Sequence, residues 1–184
     1  MSRFVNMLIR EIELTGNDYH ENWTIDTIFF GGGTPSLMEP RWLNKILNTL
    51  DRSFNISSVT EITLEANPDE TTEQRLTEFS QLGINRLSIG FQSLQLDLLT
   101  SLSRIHSPKD CFSTYQSARE AGFENINIDM LFNIPGQSLE VFQDDLKQVV
   151  ELSPEHISVY SLIVEKNTSL YTKIQDGEMT MPSE

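Results

Sequence analysis

Five short apolar segments recur along this chain about every 30 residues, and the stretches between them have helical periodicity. Each segment is rich in β-branched residues and short enough to be one strand, whereas the intervening stretches repeat apolar residues every three or four positions. Strands that alternate with helices predict an α/β fold with a parallel sheet, because a helix carries the chain back between parallel strands. The predicted strands cover residues 24–30, 59–64, 85–91, 125–132 and 156–164.

Capping residues mark where the predicted helices begin. Pro40 suits the first turn of a helix, and Thr71 with Gln74 makes a capping-box pattern. Ser107 is a predicted N-cap, since Pro108 after it already has a helical φ. No low-complexity linker divides the chain, so a βα barrel and an open doubly wound sheet are the two architectures that fit.

The first predicted element is a helix over residues 3–14 with no strand before it. In a βα series each helix follows a strand, so a helix at the very start is out of place. We therefore expect that the first strand of the barrel is missing from this chain.

Composition excludes some classes of partner. The chain has 27 acidic and 13 basic residues, a formal net charge of −14, which repels phosphate backbones and anionic membrane surfaces. No apolar stretch reaches the roughly 18 residues of a transmembrane segment, and the N-terminus lacks the pattern of a targeting signal. One cysteine, Cys111, cannot form an internal disulfide. These features predict a soluble, cytoplasmic protein that does not bind nucleic acid.

The ends of the first two predicted strands have the composition of a ligand site. Ligands of parallel βα folds bind at the carboxyl ends of the strands. Gly32, Gly33 and Thr34 follow the first strand, where glycines let backbone amides approach a ligand. Glu65 ends the second strand among apolar neighbours and suits ribose hydroxyls or an ammonium group. The alternatives are a flexible turn for the glycines and a surface acid for Glu65.

Polar side chains also mark the third and fourth strands. Gln92 ends the third strand and offers both a donor and an acceptor, and Asp129 is an acid within an apolar run. Arg104 follows a short predicted helix, where its guanidinium could bind a carboxylate bidentately. The alternative for Asp129 is a structural ion pair with Arg86 or Arg104. We interpret His106 as a hydrogen-bonded surface residue.

The segments GGGTP, LEANP, GFQSL, RIH and NIDMLFNIPGQ, in this order and spacing, resemble the radical SAM superfamily. The resemblance extends from about Phe4 to Thr172 and is strongest to the branch that resembles oxygen-independent coproporphyrinogen III oxidase. Within that branch, YSLIVEKNT and the other segments are more similar to the HemW-like heme chaperones than to the oxidase. The resemblance implies a partial (βα)6 TIM-like barrel in which parallel strands 2 to 6 are present and the first strand is missing.

The resemblance also implies which residues contact S-adenosyl-L-methionine (SAM). Gly32, Gly33 and Thr34 match positions that line the SAM site, and Glu65 the position that meets its polar groups. Ile163 matches the position beside the adenine. The further cofactor-contacting positions correspond to Gln92, Arg104 and Asp129.

The chain departs from the family pattern in its metal ligands. Radical SAM proteins hold a 4Fe–4S cluster through a CxxxCxxC run after the first strand, and no such run is present. Cys111 lies within a predicted helix, so no metal ligand is predicted in this chain. The resemblance places the missing strand and cysteines just before Met1. Ser103 and Asn133 stand where the family usually has glycine.

These features lead to three hypotheses. In the first, residues 1–175 are a partial barrel and residues 176–184 begin a truncated C-terminal region of a HemW-like heme chaperone. Its complete form would bind SAM, a 4Fe–4S cluster and heme or porphyrin, and would deliver heme to a recipient hemoprotein. The second is an oxygen-independent coproporphyrinogen III oxidase, and the third a degenerate non-catalytic βα-barrel domain. For the chain itself we predict no iron binding and weak SAM affinity.

Overall fold

The computed structural model describes residues 1–19, 23–68 and 70–182, which form five strands and seven α-helices. The strands are β1 (Thr24–Phe30), β2 (Asn55–Ala66), β3 (Arg86–Gln92), β4 (Asn125–Phe132) and β5 (His156–Ser161). The helices are α1 (Ser2–Tyr19), α2 (Pro40–Ser53), α3 (Glu73–Gln81), α4 (Leu96–Ser101), α5 (Pro108–Glu120), α6 (Leu139–Glu151) and α7 (Ser169–Gln175). A 3-10 turn covers Pro35–Leu37.

The five strands form one parallel sheet in the order β1-β2-β3-β4-β5, which confirms the predicted partial βα barrel. Each strand pairs with the next one along the chain, as happens when every crossover has the same hand. In the central strands β3 and β4, apolar side chains alternate with small or polar ones. The apolar rows, such as Leu87, Ile89, Ile126 and Ile128, are buried in the core together with residues of α2, α3, α5 and α6. The polar rows lie on the opposite face of the sheet.

Helix α1 packs against α2 through a close approach of the two backbones. A Cβ atom on Gly16 would lie 2.6 Å from the carbonyl oxygen of Ser53, so only glycine fits at this crossing. Val5 and Ile12 are buried on the same side of α1, and Lys45 of α2 donates to Asn6 Oδ1 at 3.0 Å. Among the described residues, no helix is long and apolar enough to cross a membrane.

Several predicted boundaries differ from the structure. The first helix covers residues 2–19, where 3–14 was predicted, and β3 covers 86–92, where 85–91 was predicted. β2 is longer at both ends than the predicted 59–64, because its N-terminal half pairs with the start of β1 before a register shift near Asp26. β5 ends at Ser161, after which the chain leaves the sheet. The N-cap of α3 is Thr72, whose side chain accepts from the Arg75 amide, so the prediction of a cap at Thr71 was wrong by one residue. The boundary at residue 175 stays a prediction.

The predicted cap at Ser107 is confirmed and forms a complete capping box with Asp110. Ser107 Oγ accepts from the Asp110 amide, and the Asp110 carboxylate accepts from the Ser107 amide at 2.8 Å. The hydrogen bonds from the Ser107 side chain and backbone hold the pKa of Asp110 below its ordinary value. The start of α5 is therefore stabilised by a charge that is present at neutral pH.

Replacing Ser107 with alanine is expected to lower the free energy of unfolding by about 1 kcal/mol at neutral pH, since the Asp110 amide loses its acceptor and the Asp110 carboxylate loses a hydroxyl donor. Because the Asp110 pKa is lowered in the folded state, this contribution is present above the ordinary aspartate pKa of about 3.9 and is lost as the pH falls through the lower folded-state pKa. Urea unfolding at several pH values measures both effects. Ser113→Ala, at an exposed position within α5, is the control and should leave stability nearly unchanged; equal losses for the two variants would contradict the capping role.

Candidate functional site

A cavity of about 190 Å³ opens at the carboxyl ends of β1 to β4. This is the edge of a parallel βα sheet at which ligands bind. The cavity is lined almost entirely by polar and glycine residues from separate strand ends, and six of its lining residues belong to the set predicted from the sequence. These six are Gly33, Thr34, Glu65, Gln92, Arg104 and Asp129.

The glycine turn after β1 folds against the carboxylate of β2. The Gly32 amide donates to Glu65 Oε2 at 2.9 Å, and Gly32 and Gly33 have φ values of +79° and +60°. These left-handed values favour glycine, because a Cβ atom would clash with the backbone. A Cβ atom on Gly31 would lie 2.6 Å from the Phe29 ring. The turn therefore fixes Glu65 at the cavity while it leaves other lone pairs of the carboxylate open to a ligand.

Asn67 connects three parts of the cavity wall, although sequence reasoning gave it no role. Its Nδ2 donates to Thr34 Oγ1 at 3.2 Å and to Glu70 Oε2 at 2.8 Å. Its Oδ1 accepts from Arg104 Nη1 at 3.2 Å. Asn67 thereby joins the loops that follow β1, β2 and α4. The available signal was its place in LEANP, directly after the end of a predicted strand.

Gln92 enters the cavity through an unusual backbone conformation. Its φ is +68°, in the left-handed region that non-glycine residues rarely adopt, and the pairing of β3 with β4 shifts register between Gly90 and Gln92. A Cβ atom on Gly90 would lie 2.6 Å from Gln92 Nε2, so the side chain folds back over a position that only glycine leaves open. Residues held in such conformations cluster at ligand sites.

Asp129 belongs to a hydrogen-bonded group on the polar face of the sheet. Its two carboxylate oxygens accept from Ser88 Oγ at 2.9 Å and from Asn127 Nδ2 at 2.8 Å. In the part of the chain that the structure describes it forms no ion pair, and Arg86 instead lies 3.9 Å from Glu61. The expected alternative of a structural ion pair is therefore wrong, and the negative charge of Asp129 faces the cavity.

Arg104 and His106 lie close in sequence but have different environments. Arg104 is half-buried and lines the cavity. His106 is only 2% exposed, and its Nε2 lies 3.2 Å from the carbonyl oxygen of Phe91. The prediction of a surface histidine was wrong, because the loop after α4 turns inward and packs the ring against the end of β3.

Two predicted residues lie beside the cavity. Gly32 lines an apolar cavity of about 480 Å³ that shares Thr34 with the first. Ile163 is 76% exposed and lines a third cavity, of about 400 Å³, that shares Arg104 with the first. The three cavities therefore adjoin one another along the carboxyl ends of the strands.

The two positions at which the family pattern has glycine both have left-handed backbones. The φ values are +57° at Ser103 and +67° at Asn133. Glycine adopts this region without steric cost, and asparagine is among the residues that tolerate it best. The two loops thus keep a glycine-like path around Arg104 and after β4.

The described residues do not supply the ligands of an iron–sulfur cluster. Within residues 1–19, 23–68 and 70–182, no group of three or more histidine, cysteine, aspartate or glutamate side chains could hold a metal ion. Cys111 is buried in the core within α5. A cluster needs several thiolates that converge on one point, so the residues present do not fit this group.

A parallel βα half-barrel with a polar cavity at its strand ends is typical of cofactor-binding βα barrels. A comparison with protein families identifies the family. The model of the radical SAM superfamily matches residues 2–149. The chain belongs to the radical SAM superfamily.

Three relatives show which members of the superfamily this chain is similar to. Heme chaperone HemW of Bacillus subtilis is 41% identical over 159 residues, which cover 86% of this chain and 42% of the relative. HemW of Escherichia coli is 36% identical over 167 residues, and radical S-adenosyl methionine domain-containing protein 1, mitochondrial, of Danio rerio is 38% identical over 160 residues. These alignments cover 90% and 87% of this chain and 43% and 36% of the two relatives. The chain thus spans less than half the length of these relatives.

A solved structure of the same branch has the same fold. Coproporphyrinogen III oxidase (HemN) from Escherichia coli, which is a radical SAM enzyme, superposes with a TM-score of 0.87 at 27% identity. The match covers 98% of this chain and 42% of that chain. Nearly all of the present chain therefore corresponds to part of a larger radical SAM protein.

Proposed function

We propose that this chain is the SAM-binding part of a HemW-like heme chaperone. The observation that carries the proposal is the polar cavity at the carboxyl ends of β1 to β4, which is lined by six of the eight residues matched to SAM-contacting positions. The high identity to proteins named heme chaperone HemW supports the finer assignment.

The charges around the cavity suit SAM. At neutral pH the molecule has one carboxylate, one ammonium and one sulfonium, so its net charge is positive. The cavity is lined by two carboxylates, Glu65 and Asp129, and one guanidinium, Arg104. Opposite charges in a partly desolvated cavity attract more strongly than they do in water. The lining therefore favours a cation that also has a carboxylate.

Each side chain has a role that its chemistry supports. Arg104 would bind the carboxylate of the ligand, and Glu65 would accept from its ammonium or ribose hydroxyls. Gln92 would supply both a donor and an acceptor, while Ile163 would pack beside the adenine. In a complete radical SAM protein the cofactor and a cluster together supply radical chemistry. The described residues of this chain would supply binding and orientation, since they do not fit a cluster.

A ligand titration tests the proposal. We expect backbone amide resonances around the cavity, such as those of Gly33 and Gln92, to shift on addition of SAM in a two-dimensional NMR experiment. Binding should be weak, because no cluster is present to bind the amino and carboxylate groups. S-adenosylhomocysteine, which lacks the sulfonium charge, should bind less tightly, and ATP should not bind.

A lack of any response to SAM would favour the third hypothesis, a degenerate βα domain. Iron analysis of the purified chain, with an expected result of no stoichiometric iron, is measured on the same sample. Stoichiometric iron with tight SAM binding would contradict the proposed site.

The second candidate is an oxygen-independent coproporphyrinogen III oxidase, which the close superposition on that enzyme supports. Hemin and coproporphyrin III distinguish the two candidates in a competition titration that is followed by absorbance. A chaperone should prefer hemin, whereas the oxidase reading predicts preference for the porphyrin with more carboxylates. We also propose a cytoplasmic location, although some relatives carry the word mitochondrial in their names.

Gly90→Ala is expected to weaken SAM binding by about tenfold without unfolding the protein. The added methyl group would lie 2.6 Å from Gln92 Nε2, so the flexible end of the Gln92 side chain must leave the cavity. NMR titration measures the affinity, and thermal unfolding measures the stability. Ser113→Ala, a small change at an exposed position of α5 outside the cavity, is the control. An unchanged SAM affinity in Gly90→Ala would show that Gln92 does not contribute to the site.

A further inference from the structure

Asp145 of α6 is a buried carboxylate that contributes nothing directly to the cavity. Its side chain is 0% exposed, and its oxygens accept three hydrogen bonds. The donors are Ser93 Oγ at 2.6 Å, the Leu94 amide at 2.9 Å and Gln95 Nε2 at 2.7 Å. All three donors belong to the loop that leaves β3.

Hydrogen bonds to the buried Asp145 carboxylate fix the position of this loop. A carboxylate that is removed from water is costly unless donors replace the lost hydration, and hydrogen bonds to a charged acceptor are stronger than neutral ones. Asp145 has three such donors, and all of them belong to one short segment. The favourable interactions of the buried charge are therefore concentrated at Ser93, Leu94 and Gln95.

This segment begins directly after Gln92, the residue with the left-handed backbone. On the other side of Gln92, the Phe91 carbonyl accepts from the Ser93 amide at 2.9 Å and faces His106 Nε2 at 3.2 Å. A non-glycine residue stays in this strained conformation only when its surroundings determine it. Asp145 and His106 supply that constraint from the two sides of Gln92.

We infer that Asp145 is a positioning residue, which holds the β3–α4 loop so that Gln92 keeps its strained conformation and points its amide into the cavity. Asp145 acts through the loop and does not touch the ligand. The part of this inference that concerns SAM rests on the proposed function. The part that concerns the conformation of Gln92 does not.

Asp145→Asn tests the inference with almost no change in side-chain volume. One carboxylate oxygen becomes an NH₂ group, which cannot accept from the loop. The matched control is Asp144→Asn, because Asp144 is the exposed neighbour on the same helix and its carboxylate accepts from Gln148 Nε2 at 2.9 Å. Without ligand, we expect Asp145→Asn to increase hydrogen exchange of the Leu94 amide by about tenfold and to shift the Gln92 side-chain amide resonance. The control should change neither.

A double-mutant cycle with Gln92→Ala separates positioning from general destabilisation. We expect Asp145→Asn to weaken SAM binding by about tenfold when Gln92 is present. In the Gln92→Ala background the same substitution should have no further effect on affinity, although it still lowers thermal stability. Ser93→Ala, which removes one donor and keeps the carboxylate, provides a milder variant if Asp145→Asn does not fold.

Two results would overturn the inference. One is that the Leu94 exchange rate and the Gln92 resonance stay unchanged in Asp145→Asn and in Ser93→Ala. The other is that Asp145→Asn lowers the SAM affinity equally with and without the Gln92 side chain. Failure of the proposed function gives a different pattern. In that case the unmodified chain does not bind SAM, but the Gln92 resonance still shifts in Asp145→Asn.

Discussion

Replacing Arg104 with alanine is expected to weaken SAM binding by at least about tenfold. Arg104 is the cation that lines the cavity, and a guanidinium that binds a carboxylate in two hydrogen bonds contributes about 1.5–3 kcal/mol. The substitution also removes the donor to Asn67 Oδ1, which connects the loops around the cavity. NMR titration with SAM measures the change in affinity.

Two further variants show whether the loss of SAM affinity in Arg104→Ala comes from the guanidinium in the cavity. Arg104→Lys keeps the charge but not the planar fork, so its affinity should lie between those of the parent chain and Arg104→Ala. Arg41→Ala removes an exposed guanidinium that pairs with Glu39 outside the cavity, and it should have no effect on SAM binding. An equal SAM affinity of Arg104→Ala and Arg41→Ala would show that Arg104 does not contribute to SAM binding.

Replacing Ile128 with alanine is expected to lower the free energy of unfolding by about 2–5 kcal/mol, the largest loss of stability predicted here. Ile128 lies in the central strand β4, is 0% exposed and belongs to the core cluster. Truncation leaves a cavity that the surrounding strands and helices cannot fill completely. Equilibrium urea unfolding measures the loss.

Ile157→Ala is the matched control for this effect. Ile157 pairs in register with Ile128 but lies in the edge strand β5 and is only half-buried. The same substitution should therefore cost clearly less, since part of the Ile157 side chain is already in contact with water. Equal losses for the two variants would show that the core does not end at β4.

The fold could be read from the sequence because its signals are local. The five strands, the helices between them and the cap at Ser107 depend on residues within a few positions of one another. The cofactor-matching residues could also be located, because parallel topology brings all strand ends to one edge and therefore brings Glu65, Gln92 and Asp129 together. The predicted N-cap of α3 was wrong by one residue because the adjacent Thr71 and Thr72 can both cap a helix.

Long-range contacts were not visible in the sequence. Asn67 meets Thr34 and Arg104 across 33 and 37 positions, and Asp145 meets Ser93 across 52. No periodicity or spacing predicts such pairs, because they depend on strand register and on the paths of the loops. The position of His106 was wrong for the same reason.

The sequence by itself determined the alternation of strands and helices, the edge of the sheet at which the site lies and the absence of cluster-binding cysteines. These properties follow from the order of residues and from the chirality of βα connections. Only the tertiary structure decided how the site is supported. The strained backbone of Gln92, the connecting amide of Asn67 and the buried carboxylate of Asp145 come together only when the folded core brings distant segments within hydrogen-bonding distance.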